Sequence, residues 1–292
     1  MQERDWLAEQ FEQNRIHLRG VAYRMLGSLS EADDAVQESW LRLNRADTSS
    51  VENLGGWLTT VTARVCLDML RSRKSRHEES LEGRLPEPVA THTKNKDPEA
   101  EVLLADSVGL ALLVVLDTLA PAERLAFVLH DMFDLTFEEI AAIVGRSPDA
   151  ARQLASRARR RVQGKPRVPS TDLRRQRKVV DAFLAAARSG DMKSLLALLD
   201  PQVVLRFDRF AVPKGAPAEL RGADAVANRA VLGGARAARP MLVNGDVGVV
   251  GAPRGHLRMV CRFTISGGKV VAIESVADPE RLAQLELAVL PE

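Results

Sequence analysis

The chain has 292 residues, 46% of them apolar and 27% charged, with a net charge of +2. Such values fit two or three folded domains of roughly 100–150 residues each. No apolar run approaches the ~18–20 residues needed to span a bilayer, the N-terminal MQERDWLAEQFEQNR has no apolar signal core, and Cys66 and Cys261 lack zinc or disulfide spacing. The expectation is a cytoplasmic protein whose two cysteines are small core residues.

The first 75 residues read as helices. Ser30-Glu31-Ala32-Asp33 resembles a capping box, and Val36, Trp40 and Leu43 then recur at helical spacing. The turn-rich stretch 44–56 predicts a loop. A second helix is expected from Trp57 to about Lys74, with positions 57, 58, 61, 65, 69 and 70 facing inward. Its polar residues Thr60, Arg64, Asp68 and Arg71 form one stripe. Residues 76–100 are polar, with prolines at 86, 88 and 98, and predict an extended linker.

From Val102 to Val162 the pattern is helical again. Thr136-Phe137-Glu138-Glu139 is a capping box that opens a helix with Phe137, Ile140, Ala141 and Val144 on one face. Gly145 supplies the left-handed residue that ends it; Ser147 caps the next helix and Pro148 fits its first turn. In that helix Ala151, Leu154, Ala155, Ala158 and Val162 face inward, and small alanines permit a close helix crossing. The outer face carries Arg152, Gln153, Ser156, Arg157, Arg159 and Arg160. Between Gly145 and Lys178 there are twelve Lys/Arg against two Asp, a block suited to a polyanion. Two capped helices joined by a glycine turn, the second rich in arginine, predict a helix-turn-helix for the DNA major groove. Arginine pairs bidentately with guanine and glutamine with adenine, which assigns Arg152, Gln153, Ser156 and Arg157 to bases or adjacent phosphates. Arg159, Arg160 and Arg161 are assigned to backbone charge.

After a polar, basic connector at 163–172 the texture changes. Helical segments at about 174–188 and 191–199 meet at Ser189-Gly190-Asp191. Short β-type runs follow at 203–207, 241–250, 257–265 and 269–276, the last two joined by a Ser266-Gly267-Gly268 hairpin turn. Helices followed by an antiparallel sheet indicate an α+β domain.

The segments DDAVQESWLRL (33–43) and GWLTTVTARVCLDMLRSRKSR (56–76) resemble region two of the sigma-70 family, extracytoplasmic-function group, and 119–162 resembles region four. The resemblance implies two all-α domains, 1–75 and 102–165, separated by a linker at 76–101. It implies that Asp33, Asp34, Gln37, Glu38 and Leu41 contact core RNA polymerase, with the β′ and β subunits as partners. It further implies that Thr60, Arg64, Asp68, Arg71 and the loop before them open and read the −10 promoter element. Arg152, Gln153, Ser156, Arg157 and Arg160 would read the −35 element. Many family members have Asn where this chain has Arg64, so the −10 base preference is expected to differ.

The pattern RKVVDAFLAAARSGDMKSLLALLDPQVVLRFD (177–208), with RGADAV (221–226) and ADPERL (277–282), resembles SnoaL-like domains, an α+β cone of the nuclear-transport-factor type. A subset of these sigma factors carries such an extension, here 173–292, which contacts the sigma core and adjusts its activity. Its linker motif is Leu85-Pro86-Glu87-Pro88, with Arg84 where an aromatic is common. No metal or cofactor is implied. Asp208, Asp246 and His256 are polar candidates for an enzymatic extension but show no catalytic pairing, and a non-enzyme is expected. Two alternatives stay open: a ligand-sensing regulator acting without polymerase, and a SnoaL-type enzyme fused to a DNA-binding domain.

Overall fold

The computed structural model describes residues 2–47, 51–80, 107–212, 215, 217–232, 238–253 and 257–291. The chain divides into two compact units: residues up to 105 with Leu119–Arg159, and 106–118 with everything from Arg160 onward.

The first unit begins with three helices, α1 (Gln2–Leu26), α2 (Leu29–Leu43) and α3 (Leu54–Ser80). Gly27, at φ 76, turns the chain, and Ser28 is extended so that its hydroxyl accepts the Glu31 N–H at 3.4 Å. The cap of α2 is therefore Ser28, and the box expected at Ser30–Asp33 lies inside the helix. Asn53 likewise accepts the Gly56 N–H at 2.9 Å, which starts α3 before Trp57 and absorbs the end of the expected loop. The helix continues to Ser80, through residues expected to be linker. The motif Leu85-Pro86-Glu87-Pro88 lies outside the described residues.

Leu18, Met25, Leu26, Leu43, Leu58 and Leu67 fill the centre of the three-helix bundle. Val61, Val65 and Leu70 are buried as expected, whereas Trp57 and Met69 are half-buried. Two buried hydroxyls are satisfied in series: Thr62 donates to Ser39 at 3.0 Å, and Ser39 donates to the Ala35 carbonyl at 2.7 Å.

The same unit holds α5 (Pro121–Phe127), a π-helical turn (Val128–Met132), α6 (Phe137–Val144) and most of α7 (Pro148–Gln163). α5 and α6 pack against α3, and the π turn packs against α1. Arg124, only 2% exposed, donates from Nε and an Nη to the Arg24 carbonyl at 3.2 and 3.1 Å. That carbonyl sits in the last turn of α1, where no intrahelical donor remains.

The second unit is built on a seven-stranded sheet of order β2-β1-β6-β5-β4-β3-β7. Its strands are β1 (Leu199–Phe207), β2 (Glu219–Arg221), β3 (Ala238–Val243), β4 (Asp246–Gly251), β5 (Met259–Ser266), β6 (Lys269–Val276) and β7 (Leu287–Ala288). The sheet is mixed, not purely antiparallel. β1 runs parallel to β6, with Leu205 opposite Ile273, which the long intervening chain permits. The run at 241–250 is a hairpin: Asn244 (φ 51) and Gly245 (φ 85) make a tight turn between β3 and β4.

Three further helices complete this layer, α8 (Ser170–Ser189), α9 (Met192–Leu198) and α10 (Ala223–Leu232). A short α11 (Pro279–Ala283) precedes β7. Leu173, Val180 and Leu184 of α8 pack on Leu242, Val247 and Val249. Helix α4 (Ser107–Asp117) packs Ala111, Val114 and Val115 on Met241, Val243 and Val250. Since side chains alternate along a strand, α8 and α4 cover opposite faces of β3 and β4. The segment 102–165 is thus shared out between the two units: its first described helix, apolar nearly all round, is buried in the C-terminal core.

Candidate nucleic-acid and polymerase interfaces

The helix-turn-helix follows from local chemistry. Thr136 accepts the Glu139 N–H through its hydroxyl at 3.3 Å, and Glu139 accepts the Thr136 N–H at 2.8 Å, closing the capping box. Gly145 ends α6 in the left-handed region at φ 69, and Ser147 accepts the Ala150 N–H at 3.2 Å to open α7. Ala151, Leu154, Ala155 and Ala158 are buried, and the polar residues of α7 lie on the opposite face. Val162 is only half-buried and belongs with the C-terminal core.

Every residue expected to read the −35 element lies on that outer face: Arg152, Gln153, Ser156, Arg157 and Arg160 are all exposed. Arg152 is steadied by Asp149 at 2.6 Å and by the Phe137 ring, 5.1 Å from its guanidinium carbon. Arg157 stands 3.9 Å from Glu123. Arg159 is bound to Asp131 at 2.7 Å, so its charge is already engaged within the unit.

On α3, Arg64, Asp68 and Arg71 are exposed and Thr60 is half-buried, in line at helical spacing. Asp68 and Arg71 stand 3.9 Å apart, and Arg64 donates to the Ala142 carbonyl of α6 at 3.2 Å. This second contact, invisible in the sequence, joins α3 to α6 within the first unit. On α2, Asp33, Asp34, Gln37 and Leu41 are exposed, and Leu41 keeps 41% of its surface in solvent. Glu38 is half-buried and paired with Arg42 at 2.9 Å; Asp33 pairs with Arg19 at 2.7 Å. Between α2 and α3, Arg73 grips both oxygens of Glu31, at 2.6 and 2.5 Å, a tie with no sequence signature.

Of the groups considered for chemistry, Asp208 and Asp246 have other contacts. Asp208 accepts backbone N–H bonds from Phe210, Ala211, Ala277 and Asp278. Burial alone pushes its pKa up, but these four donors outweigh it and hold the carboxyl below the usual range. Asp246 stands 3.8 Å from Arg167, and His256 lies outside the described residues. Burial pushes the Cys66 thiol up to about 12. Among the described residues no group of three His, Cys, Asp or Glu side chains is placed to hold a metal ion, and no helix is long and apolar enough to cross a membrane.

Comparison with known proteins agrees with this geometry. Residues 10–76 match the Sigma-70 region 2 family and residues 109–162 the Sigma-70 region 4 family. The ECF RNA polymerase sigma factor SigJ of Mycobacterium tuberculosis is 39% identical over 288 residues, covering 93% of this chain and 92% of its own. The probable ECF RNA polymerase sigma factor SigI of the same species is 33% identical, covering 98% of each chain. A crystal structure of M. tuberculosis SigJ aligns over 94% of this chain and 98% of its own, at 36% identity with a TM-score of 0.46. The likeness to SigJ and SigI runs through the helical segments and the α+β extension alike, and the chain belongs to the ECF group of the sigma-70 family of RNA polymerase sigma factors.

Proposed function

We propose that this chain binds core RNA polymerase and directs it to promoters by reading two separated DNA elements. The observation that carries this reading is the outward face of α7, where Arg152, Gln153, Ser156, Arg157 and Arg160 stand exposed on a helix whose opposite face is packed. That face takes the −35 duplex. The α3 stripe of Thr60, Arg64, Asp68 and Arg71 takes the melted −10 strand, where single-stranded bases need cationic, pocketed surface. The exposed face of α2, with Asp33, Asp34, Gln37, Glu38 and Leu41, docks on the polymerase β′ subunit, and the second helical segment reaches β. Residues 76–101, with Leu85-Pro86-Glu87-Pro88, connect the two DNA-reading segments, and the α+β domain at 173–292 adjusts activity without itself turning over a substrate. The protein works in the cytoplasm, where polymerase and promoters are.

The bond from Arg64 to the Ala142 carbonyl gives this reading a mechanical consequence. The two DNA elements are tens of ångströms apart on a promoter, so α3 and α6 must separate for both to be read. That hydrogen bond is worth about 0.5–1.5 kcal/mol. Separation must also undo the packing of α5 and α6 on α3 and the bonds from the buried Arg124 to the Arg24 carbonyl, a cost that binding to polymerase and DNA has to meet. The test is reconstitution of the full chain with core polymerase and run-off transcription from a genomic promoter library. The reading expects transcripts only with both components and tight promoter binding only with core enzyme. Protection of a defined operator by the chain alone would favour a polymerase-independent regulator.

A further inference from the structure

The α+β unit has a partly open cavity of about 110 Å³ between α8, α10 and the sheet. Its volume approaches that of an engineered 150 Å³ apolar cavity known to hold benzene. The wall is apolar, with Phe183, Leu205, Phe207, Val226 and Phe263 among its members. Among the described residues, Cys261, Ser275 and Arg229 bring polar side-chain atoms to it, and none of the described lining residues is acidic.

Burial pushes the Cys261 thiol up to about 11, so it lines the wall as a neutral group, 3.9 Å from the Ser275 hydroxyl to which it donates. Arg229 is different. It projects from α10, its guanidinium carbon 5.7 Å from the centre of the Phe207 ring, and its Nε is buried with no hydrogen-bond partner among the described residues. A guanidinium stays charged in any protein environment, and a buried donor left unmade is costly. Packing explains the apolar wall; it does not explain a cation with an unused donor beside it.

From this juxtaposition we propose that the cavity binds a small apolar carboxylic acid, its body among the aromatic and aliphatic side chains and its carboxylate on Arg229. The planar carboxylate matches the guanidinium fork, and a single negative charge matches the single cation on the wall. A phosphate dianion would leave one charge uncompensated in apolar surroundings. The site is built for binding: its thiol is protonated, and Asp208, the nearest candidate base in sequence, spends its carboxylate on four backbone donors and is absent from the lining.

The experiment titrates the full-length chain with benzoate, cyclohexanecarboxylate and hexanoate by calorimetry, each beside its neutral amide. At least one acid should saturate below about 1 mM, and its amide should bind about tenfold more weakly or worse. Arg229→Met, which keeps an apolar stem of similar reach, should weaken that acid about tenfold and leave the amide unchanged. Failure of all three acids to saturate, or equal binding of acid and amide to the unaltered chain, overturns the proposal whether or not the variant folds. Full retention of acid binding in Arg229→Met does so as well.

Discussion

Replacing Arg157 with alanine separates DNA reading from folding. The Arg157 side chain is 52% exposed, and Glu123, itself 13% exposed, is 3.9 Å away. A pair of that kind contributes about 0–1 kcal/mol, and alanine is the better helix former, so unit stability should change by less than about 1 kcal/mol. The packed face of α7 is made by Ala151, Leu154, Ala155 and Ala158, none of which the change touches. On DNA the loss is larger. A base contact by arginine carries about 1–3 kcal/mol of discrimination, equivalent to roughly 5- to 150-fold in affinity. Fluorescence anisotropy of the holoenzyme on a −35 duplex, repeated at several salt concentrations, measures it. A base contact appears as lost sequence preference, whereas a phosphate contact appears as a salt slope shallower by about 0.9. Unchanged DNA affinity with a normal salt slope, or loss of core binding together with DNA binding, refutes the reasoning.

Substitutions at three other positions test the framework. Arg124→Met leaves the Arg24 carbonyl without its two donors and should destabilise the first unit by about 1–3 kcal/mol. Trp6, Trp40 and Trp57 all lie in the first three helices, so urea unfolding followed by tryptophan fluorescence reports that unit, and a midpoint equal to the parent's contradicts the assignment. At Gly145 an added Cβ meets nothing within 4 Å, so Gly145→Ala should cost only the left-handed backbone, about 1–2 kcal/mol, and Gly145→Asn less; equal costs in thermal unfolding contradict this. The depressed pKa of Asp208 makes its contribution to stability complete above the unfolded value of about 3.9 and progressively lost as pH falls below it. Asp208→Asn should flatten that acid limb in circular dichroism, and an unaltered limb would place the acid sensitivity elsewhere.

The helix-turn-helix was legible because everything that defines it is local: a reciprocal capping box, a glycine in the left-handed region and a serine cap occur within a dozen residues. The α3 stripe and the outer face of α7 followed from helical period, whereas the α2 set came from the resemblance to region two. Where two local signals compete, the neighbouring chain decides. Ser28 won the cap of α2 over Ser30 because Gly27 turns the backbone immediately before it, and Asn53 started α3 inside a stretch that reads as turn. The Asn244-Gly245 turn falls inside the stretch 241–250 that reads as one β-type run, although Asn-Gly is a strong hairpin signal.

Long-range relations were not legible. The parallel pairing of β1 with β6 depends on how the intervening meander closes, and α4 joins the C-terminal core because β3 and β4 have a second apolar face to cover. Arg64 on Ala142 and Arg124 on Arg24 join residues 78 and 100 positions apart. The placement of α4 bears on experiment too. Deleting 173–292 removes Met241, Val243 and Val250 and uncovers Ala111, Val114 and Val115, so a truncated chain tests the exposure of α4 as much as the loss of the extension.

The most direct test is multi-round transcription by purified core polymerase with and without the full-length chain, on promoters selected from genomic fragments by the reconstituted holoenzyme. The account predicts transcripts that begin at a fixed distance from paired −35 and −10 elements and require both components. Transcription that is indifferent to the chain, or sequence-specific DNA binding by the chain that core polymerase does not tighten, would contradict it.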